Sequence, residues 1–119
     1  MIAAACNTWP AQAFGRVAGR TEAPEKYFWI EHAERNAIYL AARQGISTNG
    51  ARMFVDLTPC VDCARAIIQA GIAELAINKE RSTDYDGAKY FAEQRKALNM
   101  LAEADVAVRL VSTKAPVRN

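Results

Sequence analysis

His32 and Glu34, two positions apart, are followed 28 positions after the histidine by Cys60 and then by Cys63, with Pro59 immediately before the pair. One imidazole and two thiolates are three protein ligands suited to zinc, a borderline-soft ion. If they hold one ion, the fold must carry two distant stretches of chain to one point, which excludes most arrangements open to a short polypeptide. A hydrolytic zinc keeps its fourth position for water, whereas a closed structural site has four protein ligands. Glu34 is then left to move protons.

The residue inventory weighs the alternatives. With one histidine and three cysteines in 119 residues, a closed site would have to recruit Cys6, and nothing in the spacing requires it. Cys-x-x-Cys alone also suits a redox pair of thioredoxin type, or two incidental cysteines on a helix. The catalytic-zinc reading is preferred because His-x-Glu, the preceding proline and the spacing between the motifs agree. An odd number of cysteines, two of them claimed by metal, argues against a disulfide framework and fits a reducing compartment.

One domain is expected over 1–119, since a chain of this length buries one modest core and not two. Hydrophobic residues make up 51% of it, which favours a globular chain, and a formal net charge of +2 is too mild for a nucleic-acid footprint. The basic tail at Lys114 and Arg118 reads as a solvated terminus. Met1 to Ala5 is apolar but too short for a signal peptide, and no run approaches membrane-spanning length. Cytoplasm is the default expectation, with no membrane partner.

Short β-type runs alternate with helical periodicity along the chain. Met1 to Ala5 reads as a strand ending in the turn Asn7-Thr8-Trp9-Pro10, and Ala11 to Tyr27, with Gly15, Gly19 and Pro24, as a long loop. The spacing predicts a helix from Ala33 to Gln44 with Ala37, Ile38, Ala41 and Ala42 inward and Gly45 as the stop. A buried strand over Arg52 to Leu57 should lead to a helix over Val61 to Ala70, with Ala64, Ile67 and Ile68 in the core and Gly71 at its end. Leu75 to Ile77 reads as a strand, Ala88 to Ala104 as a helix with Phe91, Leu98 and Leu101 inward, and Val106 to Val111 as a closing strand. Strands separated by helices of this length imply an α/β chain with right-handed crossovers and a parallel sheet from Arg52 onward.

That layout puts His32 and Glu34 at the start of one helix and Cys60 and Cys63 in the first turn of another. Both helix N-termini would point beyond the carboxyl ends of the strands, where open α/β sheets bind ligands. Helix dipoles and the metal both favour thiolate over thiol. Cysteines three apart share one helical face and can grip one ion.

His-Ala-Glu-Arg-Asn-Ala-Ile (His32 to Ile38), Thr-Pro-Cys-Val-Asp-Cys-Ala (Thr58 to Ala64) and the Ile67-Ile68-Gln69-Ala70-Gly71-Ile72 that follows resemble the deoxycytidylate deaminase branch of the cytidine deaminase superfamily, over roughly Cys6 to Val111. Asn36, after the His-Ala-Glu core, favours this branch. Cys6-Asn7-Thr8-Trp9-Pro10 resembles the family's Gly-Tyr-Asn-Gly-x-Pro segment, whose asparagine contacts the sugar. By that match Asn7 is a candidate substrate residue, against a plain role as a turn former. Ala33, Thr58 and Pro59 are the other candidate substrate-binding positions.

The resemblance implies a three-layer α/β/α fold with a mostly parallel sheet, here lacking the family's usual N-terminal helix and strand. It also implies Zn2+ as cofactor and hydrolytic deamination of a cytosine-type base, on a free nucleotide such as deoxycytidylate (dCMP to dUMP). Zinc lowers the pKa of its water towards ~7. Glu34 would take that proton, pass it to the ring nitrogen and help ammonia leave. The backbone N–H of Cys60, at a helix start, is a candidate stabiliser of the developing negative oxygen, which gives Cys60 a catalytic role beside its ligand role. Glu34 has the alternative reading of a first-turn carboxylate that stabilises the helix dipole.

Two further departures from the family pattern are visible. Ala11, Gln12 and Ala13 stand where the family carries a basic residue after the turn proline, and the accessory cysteine-rich zinc site of some members is absent. The alternatives to a nucleotide deaminase are a deaminase of another base, nucleoside or single-stranded nucleic acid, and a zinc-stabilised interaction module without turnover. Self-association is expected, with Met1 to Ala5 supplying strand pairing that the missing segment would otherwise give.

Other residues carry weaker expectations. Phe28 and Trp29 are candidate pocket walls, though such a pair is more often core or a hydrophobic staple. Arg35, Arg65 and Lys79 are candidate phosphate holders against a solvent-facing role. Tyr85 and Asp86 read as loop formers near a substrate mouth, and Cys6 as a small buried hydrophobe.

Overall fold

The computed structural model describes residues 1–9, 22–84 and 88–114, and the chain divides into two compact units, Met1–Ser47 and Thr48–Asn119. The first unit holds α1 (Lys26–Trp29) and α2 (Ala33–Arg43). The strand expected over Met1 to Ala5 does not form: among the described residues the stretch joins no ladder, and its side chains are exposed or half-buried. An apolar run becomes a strand only when a neighbour takes its backbone N–H and C=O groups. The pairing that does form is one antiparallel bridge further on, where Thr8 N–H donates to Glu31 O at 3.0 Å and Glu31 N–H to Thr8 O at 2.6 Å. Of the expected long loop, residues 11–21 lie outside the described residues, and the part nearest Tyr27 is the start of α1.

The helix predicted up to Gln44 ends one residue earlier, at Arg43, and its C-terminus is closed as the glycine signal required. Ile46 N–H returns to Ala41 O at 2.9 Å and Gly45 N–H to Ala42 O at 3.0 Å, with Gly45 at φ +69. Ala41 is fully buried and Ala37 and Ile38 half-buried, but Ala42 is exposed. The buried stripe is thus narrower than expected and centred on Ala41.

The second unit is a three-stranded parallel sheet, β1 (Arg52–Val55), β2 (Glu74–Asn78) and β3 (Ala107–Val111), in the order β1-β2-β3. Its helices are α3 (Val61–Gln69), α4 (Lys79–Asp84) and α5 (Ala88–Glu103). The apolar run Leu75-Ala76-Ile77 is the centre of the middle strand and is at most 1% exposed, as a strand flanked on both sides should be. Arg52 to Leu57 was expected to be buried, yet β1 stops at Val55 and leaves Phe54 66% exposed, because it is an edge of the described sheet. Glu74, in the middle strand, pairs with Arg52 at 3.1 Å on one side and with Arg109 on the other. Both arginines are more than half exposed, so these pairs add only about 0–1 kcal/mol each.

The core of this unit comes from α3, α5 and β2, with Ile67, Leu75, Ile77 and Leu101 fully enclosed. Each such side chain contributes about 1.5–3 kcal/mol by leaving water. Ala64 and Ile67 are buried as expected and Ile68 half-buried, but on α5 the buried partner of Leu101 is Ala97, and Leu98 is 37% exposed. The side chain of Phe91 lies outside the described set. No strand-to-strand pattern announced α4, although Asn78 is its start signal: its Oδ1 accepts Arg81 N–H at 3.1 Å. Glu80 on α4 accepts from the Ser112 hydroxyl and from Thr113 N–H, and the hydroxyl contact holds its carboxyl below the usual range.

Gly71 closes α3 as Gly45 closes α2, at φ +76, but it is more tightly held. A Cβ there would lie 2.6 Å from Asn49 Oδ1 and 3.3 Å from Asn49 Cα, whereas at Gly45 nothing lies within 4 Å. Gly45→Ala should therefore cost only the left-handed backbone penalty of about 1–2 kcal/mol. Gly71→Ala should cost more, about 2–4 kcal/mol, because Asn49 must move as well. Urea unfolding of both variants measures the difference, and equal losses would show that Asn49 gives way without cost.

Candidate metal centre

The first half of the motif lies on α2. His32 occupies the N-cap position with extended backbone (ψ 149), and its side chain does not cap its own helix. The orphan amide of the first turn is satisfied from elsewhere, since Ala33 N–H donates to Asn7 Oδ1 at 2.7 Å. His32 N–H donates to Glu31 Oε1 at 3.0 Å. Glu34 follows in the first turn, half-buried, where the dipole favours a carboxylate. Asn36 Nδ2 donates to Cys6 O and to Thr8 Oγ1, both at 2.9 Å.

The second half lies on α3. Cys60 is its N-cap, with ψ 171, and its Sγ accepts Cys63 N–H at 3.5 Å. A sulfur that accepts a helix N-terminal amide is placed where the dipole stabilises negative charge. Cys63 is fully buried, Cys60 half-buried, Thr58 half-buried and Pro59 fully buried. Val61 N–H, the first of the helix, donates to Glu93 Oε1 of α5 at 3.4 Å.

Among the described residues, His32, Cys60 and Cys63 are the donors that could hold a metal ion, and the set has the softness zinc prefers. With three protein donors it fits an ion whose remaining position takes water or substrate. Cys6 is exposed rather than buried and is not in that donor set.

Arg35 is engaged by Glu31 at 2.5 Å, with its side chain 19% exposed, so it is not simply a solvent-facing cation. Arg65 is exposed and paired with Asp62, and Lys79 is exposed at the start of α4. Phe28 is 79% exposed and so not core, while Trp29 is half-buried with its indole N–H on Glu25 at 2.9 Å. Tyr85 and Asp86 lie outside the described residues. Glu93 and the links made by Asn36 were not foreseen, because both join residues about thirty positions apart that no local pattern connects.

A family model described as the cytidine and deoxycytidylate deaminase zinc-binding region matches residues 2–79. Deoxycytidylate deaminase of Enterobacteria phage T2 is 61% identical over 44 residues, which are 37% of this chain and 23% of that protein. Deoxycytidylate deaminase of Homo sapiens is 41% identical over 63 residues, 53% of this chain and 34% of that protein. The apo crystal structure of dCMP deaminase from the cyanophage S-TIM5 superposes with a TM-score of 0.52 at 25% identity, covering 70% of this chain and 55% of that one. The chain thus spans about a third or less of the length of these curated relatives.

Proposed function

Because the chain belongs to the cytidine and deoxycytidylate deaminase zinc-binding family, we propose that it hydrolytically deaminates a cytosine-type base, with deoxycytidylate as the substrate and deoxyuridylate as the product. The observation that carries this reading is the donor set His32, Cys60 and Cys63 with Glu34 two residues after the histidine. The substrate follows from the relatives, which bear the name deoxycytidylate deaminase at 41–61% identity. We read the whole chain as one catalytic domain, because the His-x-Glu motif at 32–34 and the Pro-Cys-x-x-Cys motif at 59–63 together make up the zinc deaminase signature.

Zinc supplies a Lewis acid that makes water a nucleophile at neutral pH. Glu34 takes the proton released from water as oxygen adds to the carbon bearing the amino group, and delivers it to the adjacent ring nitrogen. The carboxylate then takes the second proton, that of the added hydroxyl as it becomes the carbonyl, and gives it to the amino group, whose bond to carbon breaks so that it departs as ammonia. The Cys60 N–H is assigned to the oxygen that gains charge. Ala33, Thr58 and Pro59 are assigned to the base and Asn7 to the sugar.

No helix of the described residues is long and apolar enough to cross a membrane. A cytoplasmic location and association of copies of the chain complete the proposal. Metal analysis should find about one zinc per chain. Ammonia release from cytosine, cytidine, deoxycytidine, CMP, dCMP and single-stranded DNA should be fastest with dCMP. A zinc-loaded protein that releases ammonia from none of them would overturn the reading in favour of a zinc-stabilised module.

A further inference from the structure

We propose that Asn36 is a positioning residue that sets the orientation of Asn7 toward the nucleotide, an inference that rests on the reading of Asn7 as the sugar contact. The Nδ2 of Asn36 carries two hydrogens and spends them on either side of Asn7, on Cys6 O and on Thr8 Oγ1, each at 2.9 Å. Glu31 O lies 3.5 Å from the same nitrogen. The bridge between Thr8 and Glu31 holds the same segment through its backbone. Residues 6–8 are thereby fixed against the start of α2 without any regular strand.

The consequence falls on the carboxamide of Asn7. Ala33 N–H is a donor, so the end of Asn7 that meets it at 2.7 Å must be the oxygen. The other end of the planar amide is then Nδ2, a donor suited to a hydroxyl oxygen of the substrate's sugar. Ala33 adjoins His32, so this anchor ties a substrate contact to the residue beside a metal ligand. Asn7 itself is exposed, and an exposed turn holds one orientation only when something else fixes it.

Position 36 needs this side chain. Aspartate has no N–H and would set a negative charge against the Cys6 and Glu31 carbonyls, while leucine has the shape without the donors. A side chain that acts through Asn7 should change substrate binding more than chemistry.

The test is a double-mutant cycle of Asn36→Ala and Asn7→Ala, with Asn36→Asp as a second probe of the donor. Each protein is assayed for zinc content, for KM and kcat with dCMP, and for amide hydrogen exchange at Thr8 and Ala33. Asn36→Ala and Asn36→Asp should keep zinc, raise KM roughly ten-fold or more and change kcat by less than about three-fold. In the Asn7→Ala background Asn36→Ala should add less than about two-fold. Unchanged KM in a zinc-loaded Asn36→Ala protein, or fully additive losses, would overturn the proposal.

If the unaltered protein fails to deaminate dCMP, the functional reading fails separately, and the exchange rates still decide the positioning role. Faster exchange at Thr8 and Ala33 in Asn36→Ala supports it, and unaltered rates reject it. Should Asn36→Ala not fold, Thr8→Ala removes one of the two acceptors and should give a smaller rise in KM with the same faster exchange; neither change would reject the role.

Discussion

Glu34→Gln should retain its zinc and lose deaminase activity by ~10²–10⁴-fold or more, the range expected when a general acid–base is removed. Glutamine keeps the shape of the side chain at the first turn of α2, so the helix start and its anchor on Asn7 are preserved. If Glu34 served only the helix dipole, its loss would cost stability by about 0.3–1 kcal/mol and leave turnover alone. The two roles thus differ in which measurement moves. Single-turnover ammonia release, with zinc content and a urea midpoint on the same sample, separates them. Unchanged turnover would mean that another group carries the proton.

Much of the secondary structure could be read from local pattern because its signals are local. Gly45 and Gly71 announced helix ends, and each takes the left-handed backbone its position demands. Leu75-Ala76-Ile77 announced a strand buried on both faces. Burial on β1 could not be read in this way: Met53, Phe54 and Val55 are as apolar as the middle strand, and only sheet order makes one strand an edge. Leu98 misled because a large apolar residue looks inward, while the close packing of α5 is met by the smaller Ala97.

The candidate site was legible as a donor set and much less so as a network. His32, Cys60 and Cys63 stand out because few other residue types hold zinc. The contacts that fix them do not, since Asn7 to Ala33, Asn36 to Cys6 and Glu93 to Val61 each link residues 26 to 32 positions apart. Asn7 was singled out by resemblance alone, and its bond to Ala33 is what a turn former would not require.

Cys60→Ser should lose nearly all bound zinc while α3 keeps its start. Cys60 is both N-cap and metal donor, its Sγ accepting Cys63 N–H at 3.5 Å. Serine is among the best N-caps, so its hydroxyl can take over that amide, whereas alanine cannot. A neutral hydroxyl is a far poorer zinc ligand than a thiolate. The serine variant therefore isolates the metal, and Cys60→Ala should lose about 0.5–2 kcal/mol more through the cap. Because zinc binding is coupled to folding, removal of the metal by chelation should lower the unfolding midpoint of the original protein towards that of the serine variant. Cys6→Ser, at an exposed position outside the donor set, should keep about one zinc per chain and its stability. Full zinc content in Cys60→Ser would remove Cys60 from the ligand set, and loss of zinc in Cys6→Ser would instead indicate a closed four-ligand site.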